Sequence, residues 1–373
     1  MIEHKFILAL VAIYDRLLLA LVTFVVTLLI SANSLFGKVR MSHENGIALR
    51  GRLRIAADVR MPEHEFFEQG RTFACRIRHG AASFTDDAKL VVRSASIKFA
   101  DSRSKSPMDI LMNTGRMPLF WNARTFVEFM RRSMAGKGKK YVPFLRAHPQ
   151  AAVGGGDSVR RDPESPHRLV YQTQTTFGFI GRDQVFRYAR YRLVPGGFDP
   201  SRDQESGAPD DWDRHHAWLQ NPRLDETRSR NYLKDATRKL LESGEVMHYV
   251  LQIQLRLPPP DDELQPEWIA SSVPWDETMF PYLDLAQLDV DEALSHKESM
   301  LTWFDIGNHP KSLPVPRARS IDDAHSLNHL RLAGIWATRA RLLSYLLTGI
   351  PPAFPDSRQA KDWQGLPPLA KPP

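Results

Sequence analysis

The chain has 373 residues, 42% of them hydrophobic and 25% charged, with 50 Lys+Arg against 43 Asp+Glu and a formal net charge of +7. That length buries one large core or two modest ones, and the single cysteine, Cys75, excludes an internal disulfide and a cysteine metal site. The positive charge is compatible with an acidic ligand or a phospholipid surface, but its arginines are scattered over strand faces and no nucleic-acid-binding motif of known spacing accompanies them.

The first element is apolar. Leu17 to Phe36 is a run of twenty residues without a charge, preceded by a second apolar stretch from Phe6 to Tyr14 that Asp15 and Arg16 interrupt. Twenty residues suffice to cross a bilayer. A buried or dimer-forming helix and a removed signal peptide are the alternatives; the charged pair splits the apolar stretch and no small-x-small cleavage site follows, which argues against the peptide. Residues 1–38 are therefore read as an N-terminal apolar helix that associates with a membrane through residues 17–36, spanning or monotopic. Lys5 and Arg16 against Lys38 and Arg40 balance too closely to orient it.

Next comes a strand of period two, with Ile47, Leu49, Leu53 and Ile55 on one face and Arg50, Arg52 and Arg54 on the other. Gly46 and Gly51 interrupt its side-chain layer, which suits the close approach of a flat cofactor or another strand. Phe73 to His79 and Leu90 to Phe99 read as strands, with Cys75 on the apolar face of the first and Arg93 and Lys98 outward on the second. Leu119 to Met130 reads as an aromatic-rich helix, and Arg131 to Arg168 as a loop. The triplet Gly154-Gly155-Gly156 within that loop lacks the strand, lysine and helix of a phosphate cradle. Gln172–Ile180 and Gln184–Val194 are joined by Gly181-Arg182-Asp183, a hairpin signal. Asp199 to Arg230 is a polar excursion; its adjacent His215 and His216 point apart and read as surface residues rather than metal ligands. Tyr232 to Glu242 reads as an amphipathic helix and Val246 to Leu257 as a strand. A wrapping segment rich in Pro and Trp then leads to Phe304-Asp305-Ile306-Gly307-Asn308, and Ser326 to Leu347 is a long helix. No internal repeat is visible.

That last helix carries Arg341 and Tyr345, four residues apart and so on one face. The spacing alone also fits an ordinary helix surface pair. A guanidinium held against a phenol favours its charged form, however, and a phenolate is a competent axial ligand for haem iron. Further motifs stand upstream: Arg40-x-x-His43-x-x-Gly46, Arg76-Ile77-Arg78-His79-Gly80, Asp109-Ile110-Leu111-Met112-Asn113, and Phe126 thirteen residues beyond Asn113. In this order, from about Val39 to Tyr345, the chain resembles the catalase superfamily, and within it the short, catalase-related haem hydroperoxide branch, which is allene oxide synthase-like.

The resemblance implies an α+β fold: a catalase-like antiparallel β-barrel with flanking helices enclosing haem over residues 39–347, followed by a Pro-rich tail over 348–373. It implies haem b with its iron on Tyr345, Arg341 keeping the phenolate charged, Arg40, Arg76 and Arg341 near the propionates, and Phe126 against the ring. His43 becomes the distal acid–base group and Asn113 its partner. Ser42 stands where typical catalases carry valine, and its hydroxyl is expected to orient His43 and to weaken hydrogen peroxide disproportionation. Arg78 and His79 replace small hydroxyl residues of catalases, which predicts a more basic haem edge. The nicotinamide-binding part of large catalases is expected to be missing. The implied activity is conversion of organic hydroperoxides, fatty acid ones foremost, by O–O cleavage; a small catalase or peroxidase acting on hydrogen peroxide and a tethered haem carrier or sensor are the alternatives. The haem domain is expected on the cytoplasmic side, in a chain that binds no nucleic acid; catalase relatives commonly associate into homo-oligomers, but the oligomeric state of this chain is not readable from its sequence. His43 follows the apolar run by only seven residues, a reach of at most about 25 Å, so a lipid hydroperoxide would have a short way in.

Overall fold

In a computed structural model of the protein the described residues are 2–37, 43, 46–81, 86–135, 142–199, 203, 205–211, 213, 223, 225–261 and 265–348; the side chains of residues 2–9, 33–37, 133–135, 142 and 345 lie outside that set. His215 and His216 are among the residues not described. The chain opens with helix α1 (Ile2–Gly37), which joins the two apolar stretches of the sequence into one element. Four strands follow: β1 (Gly46–Ile55), β2 (Thr72–Ala81), β3 (Val91–Lys98) and β4 (Asp109–Thr114). After helices α2 (Ala123–Ala135), α3 (Val142–Ala147) and α4 (Pro149–Ser158) come β5 (Val159–Arg160), β6 (Tyr171–Gln172), β7 (Phe177–Ile180) and β8 (Phe186–Pro195). The remainder is α5 (Tyr232–Glu242), β9 (Met247–Arg256), α6 (Gln265–Ile269), β10 (Leu283–Ala293), α7 (His296–Leu301) and α8 (Ser326–Thr348).

Strands pair in the order β2-β1-β10-β9-β8-β6-β4-β3, and β3 pairs back with β2. The sheet is thus a closed, antiparallel, eight-stranded barrel, with β5 added to β3 and β7 to β8. Closure leaves the ring no unpaired edge, and eight strands enclose an interior just wide enough for side chains to fill. The alternation of β1 does what its sequence predicts: Ile47, Leu49, Leu53 and Ile55 point into the barrel core with Ile77, Ile97, Ile110, Leu251, Ile253 and Leu288. Cys75 lies in the same core, fully buried.

The structure departs from the sequence-based expectations in several places. β10 lies inside the Pro- and Trp-rich segment read only as wrapping, with no strand assigned to it, and it closes the barrel between β1 and β9. Its acidic residues obscure the pattern, yet they face the arginines of β1, with Arg52 opposite Asp289 and Arg50 bonded to Glu292. The expected loop after α2 contains α3 and α4, and the glycine triplet is helical; the small residues Ala151, Gly154 and Gly155 are buried and set α4 against the region of Leu119. α2 begins at Ala123 rather than Leu119 because Asn122 caps it, its Oδ1 accepting from the Thr125 amide at 2.9 Å.

Of Arg93 and Lys98, both expected outward, Lys98 pairs with Arg76 on the outer barrel face, and both are buried, at 3% and 0% exposure. Lys98 Nζ donates to Asp109 Oδ2 at 2.8 Å and to the Ser104 carbonyl at 2.9 Å, while Asp109 Oδ2 accepts from the Asp305 amide at 2.8 Å and Asn308 Nδ2 at 3.1 Å. One buried ion pair therefore ties the segment before α8 to the barrel wall. Burial pushes Lys98 down and Asp109 up, and each is pulled back by the other.

His79, expected to make the site edge basic, instead points into the barrel. Its register partners run Ile47–His79–Ala95, its Nε2 lies 3.0 Å from Tyr249 Oη, and its ring lies 5.4 Å from that of Tyr171. Burial holds its pKa down at about 3.

Two outcomes follow from these buried groups. Lys98→Met strands the Asp109 carboxylate and should lower stability by about 3–5 kcal/mol, most of it regained in Lys98→Met/Asp109→Leu, as read by equilibrium denaturation. For His79 the folded pKa lies below the unfolded value of 6.5, so the unfolded chain takes up a proton that the folded chain refuses. Stability should fall by about 1.4 kcal/mol for each pH unit lost below that value through this residue alone, and His79→Gln should flatten that slope in melts at successive pH.

Candidate active site

Register-paired residues of an antiparallel sheet point to the same face, and one row of pairs assembles the site. Gly46 of β1 pairs with Gly80 of β2, Gly80 with Ser94 of β3, Ser94 with Asn113 of β4, and Asn113 with Gln172 of β6. Since the adjacent row Ile47–His79–Ala95–Met112 fills the core, this row faces the outside of the barrel. At strand spacings of about 4.8 Å, Asn113 stands roughly 10 Å from Gly80.

His43 precedes β1 and lies over this row. A Cβ built on Gly80 would stand 3.4 Å from the His43 Cβ, 3.2 Å from Ser94 Oγ and 3.1 Å from Arg78 Nη1. The histidine backbone is left-handed, with φ 55°, a conformation that persists in a non-glycine residue only when its surroundings hold it. Arg78 supplies the grip: buried at 5% exposure, it donates from Nη1 to the His43 carbonyl at 2.7 Å and from Nε to the Ser299 carbonyl at 3.3 Å. Gly46 makes room for this, because a Cβ there would lie 2.4 Å from the His79 carbonyl and 2.8 Å from the Arg78 guanidinium carbon. Of the two expectations for Gly46, the neighbouring strand is found, as β2, and the Arg78 guanidinium fills the space beside it.

Asn113 is half-buried, and its Nδ2 lies 3.4 Å from Gln174 Oε1, whose amide nitrogen donates to the Thr114 carbonyl at 3.2 Å. Ser94 and Gln174 escaped the sequence reading. Their only signal is polarity inside strand-like runs, which becomes informative once pairing puts them beside Asn113.

The other predicted residues are placed as follows. Arg76 faces the same way as Gly80 but four residues along β2, roughly 13 Å away. It donates to Asp101 at 2.7 Å, Glu298 at 3.1 Å and Thr302 at 2.9 Å, and Arg103 together with Arg76 holds Glu298 down at about 2. Phe126 packs on α2 among Leu19, Leu327 and Leu330. Arg341 is buried on α8 at 1% exposure. The backbone of Tyr345 follows one turn later on the same helix, its side chain being outside the described residues, as are Arg40 and Ser42 entirely.

α8 itself is positioned by the threonines that interrupt the strand between β6 and β7. Thr176 Oγ1 lies 2.5 Å from His325 Nε2, Thr175 Oγ1 donates to Asn328 at 3.2 Å, and Arg331, half-buried and pushed down to about 10 by desolvation, also bonds Thr175. Ile335 reaches the barrel core and Arg339 bonds Asp305 at 2.6 Å.

A bare metal ion needs several protein ligands, and no group of three or more His, Cys, Asp or Glu could hold one among the described residues. A porphyrin brings four nitrogen donors of its own and asks the protein for one axial ligand. The donor set here, one imidazole and one amide on an outer barrel face with an Arg–Tyr helix turn elsewhere in the chain, fits haem.

Arg78→Lys keeps the charge but loses the two-pronged donor. It should cost about 1–3 kcal/mol of stability and speed amide exchange in the segment leading into β1, measured by denaturation and hydrogen–deuterium exchange; unchanged exchange there would mean that His43 is held by something else.

No family model matches the chain. Over 307 residues, 82% of this chain and 28% of the relative, it is 35% identical to the allene oxide synthase-lipoxygenase protein of Plexaura homomalla. It is 28% identical over 306 residues, 80% of this chain and 38% of the relative, to the linolenate 9R-lipoxygenase of a Nostoc species. An uncharacterised protein of Sinorhizobium fredii is 29% identical over 164 residues, 43% of this chain and 68% of that one. The chain spans well under half the length of the first two relatives. Among solved structures, that of a bacterial catalase superposes with a TM-score of 0.59 at 14% identity, over 89% of this chain and 65% of that one, and shows the shared fold. The chain therefore has the catalase fold and is homologous, over most of its own length, to the allene oxide synthase-lipoxygenase protein.

Proposed function

We propose that this protein is a haem-dependent enzyme that converts organic hydroperoxides, fatty acid hydroperoxides foremost, by cleaving their O–O bond. The observation that carries the reading is the outer face shared by His43 and Asn113, in a chain 35% identical over 307 residues to a relative named allene oxide synthase-lipoxygenase protein.

Bound haem b would supply an iron that accepts a peroxide oxygen and exchanges electrons with the O–O bond. Tyr345 would hold the iron, and Arg341, one turn before it, would keep the phenolate charged. Arg40, Arg76 and Arg341 are assigned to the propionates and Phe126 to the ring; Arg76 would then divide its donors between a propionate and its present partners Asp101 and Glu298. His43, neutral, takes the proton from the hydroperoxide O–H and returns it to the oxygen that departs. Asn113 donates to that oxygen as charge builds on it, and the Ser42 hydroxyl fixes the imidazole orientation. Arg78, through the His43 carbonyl, keeps the imidazole over the site.

α1 is assigned to a membrane, with the barrel on its cytoplasmic side. A substrate dissolved in acyl chains would reach His43 over a short distance, which favours a lipid hydroperoxide over hydrogen peroxide.

Purified protein should show a tyrosinate-type Soret spectrum. His43→Gln should retain it and lose on the order of 10²–10⁴-fold in turnover of a linoleic acid hydroperoxide, whereas Tyr345→Phe should lose the spectrum. A Tyr345→Phe protein with both spectrum and turnover intact ends the reading, and oxygen evolution from hydrogen peroxide outpacing hydroperoxide consumption would make the protein a small catalase instead.

A further inference from the structure

α1 does not stand apart from the body of the protein. Its Leu18, Leu19, Val22 and Val26 pack with Leu327 and Leu330 of α8 and with Phe126 of α2. The opposite side is bare: Leu17, Leu21, Phe24, Leu28 and Leu29 are 54–66% exposed. α8 carries its own bare stripe, with Trp336, Leu343 and Leu347 at helical spacing and Leu346 beside them, each 55–77% exposed.

Lipid is the occupant that this surface fits. From Leu17 to Leu29 every exposed residue of α1 is apolar, whereas a protein–protein interface mixes polar with apolar area and carries a polar rim. Tyr14 and Trp336, 63% and 56% exposed, are the amphipathic aromatics that collect at membrane–water boundaries. The apolar span Leu10–Ala32, with mean hydropathy 2.1, is about 35 Å long at 1.5 Å per residue, long enough to cross a bilayer.

The packing opposes a crossing. α8 is fixed to the barrel through Arg331 and Thr175, Arg339 and Asp305, His325 and Thr176, and through Ile335 in the core. An α1 that spanned the bilayer would either draw α8, with its buried Arg341 and half-buried Arg331, to hydrocarbon depth, where cations are costly, or peel away and bare Leu327, Leu330 and Phe126. A helix lying in the membrane plane does neither.

We infer that α1 and α8 form one in-plane lipid-binding surface: α1 lies parallel to the membrane with one side on α8 and the other among the acyl chains, and Leu343, Leu346 and Leu347 of α8 enter beside it. This rests on the membrane assignment made above and specifies its geometry. The helix carrying Arg341 and Tyr345 would then itself touch the lipid that delivers the substrate.

The native chain has one cysteine, fully buried, so introduced cysteines report alone. Full-length Lys5→Cys and Lys38→Cys proteins, added to preformed vesicles of equimolar phosphatidylcholine and phosphatidylglycerol, are treated with a membrane-impermeant maleimide. An in-plane helix leaves both positions labelled to completion, and Leu346→Lys on α8 should lower recovery by flotation several-fold at unchanged melting temperature, as should Phe24→Lys on α1. No flotation of the native protein overturns the membrane assignment and the inference together. Flotation with one end of α1 protected overturns only the in-plane geometry, and flotation of Leu346→Lys equal to the native protein removes α8 from the surface.

Discussion

The register of a closed antiparallel barrel is the constraint on which the rest depends. Pairing fixes which residues share a face, and closure leaves no strand free to slip without disturbing its neighbours on both sides. Gly46, Gly80, Ser94 and Asn113 fall in one outer row while Ile47, His79, Ala95 and Met112 fall in the inner one. A slip of one residue would exchange these rows, putting His79 on the site face and Asn113 in the core. The buried Lys98–Asp109 pair sits on this same β3–β4 ladder and extends its authority to the segment that leads into α8.

Arginines make up much of the second layer of order. Arg78 grips the carbonyl of a left-handed His43, Arg76 gathers Asp101, Glu298 and Thr302, and Arg331 holds α8 to Thr175. A guanidinium suits such places because its planar fork bonds several oxygens at once and keeps its charge when buried. Much of the chain's positive charge is therefore engaged within the fold rather than presented to an acidic macromolecule.

α8 joins three parts of the molecule. Its inner side meets the barrel core at Ile335, its flank packs on α1, and its C-terminal turns carry Arg341 and Tyr345. If the proposed iron ligand and lipid contact both lie on this helix, they stand at a fixed distance from each other, an arrangement that a flexible tether does not provide.

The sequence by itself determined the elements whose physics is local. Strict alternation marked β1 and β9, amphipathic periodicity marked α5, an uncharged apolar run marked α1, and the ordered motifs from Arg40 to Tyr345 marked the family. Only the tertiary structure decided the rest. β10 hid behind acidic residues that make sense only opposite the arginines of β1, and α3 and α4 hid behind small residues and glycines that are stable as helix only once packed. Lys98 read as outward and His79 as part of a more basic haem edge, yet the burial of each depends on a partner on another strand, Asp109 for one and Tyr249 for the other. Which side of a strand a residue serves, and what stands opposite it, is set by pairing between segments far apart in the chain, and local periodicity carries no record of that.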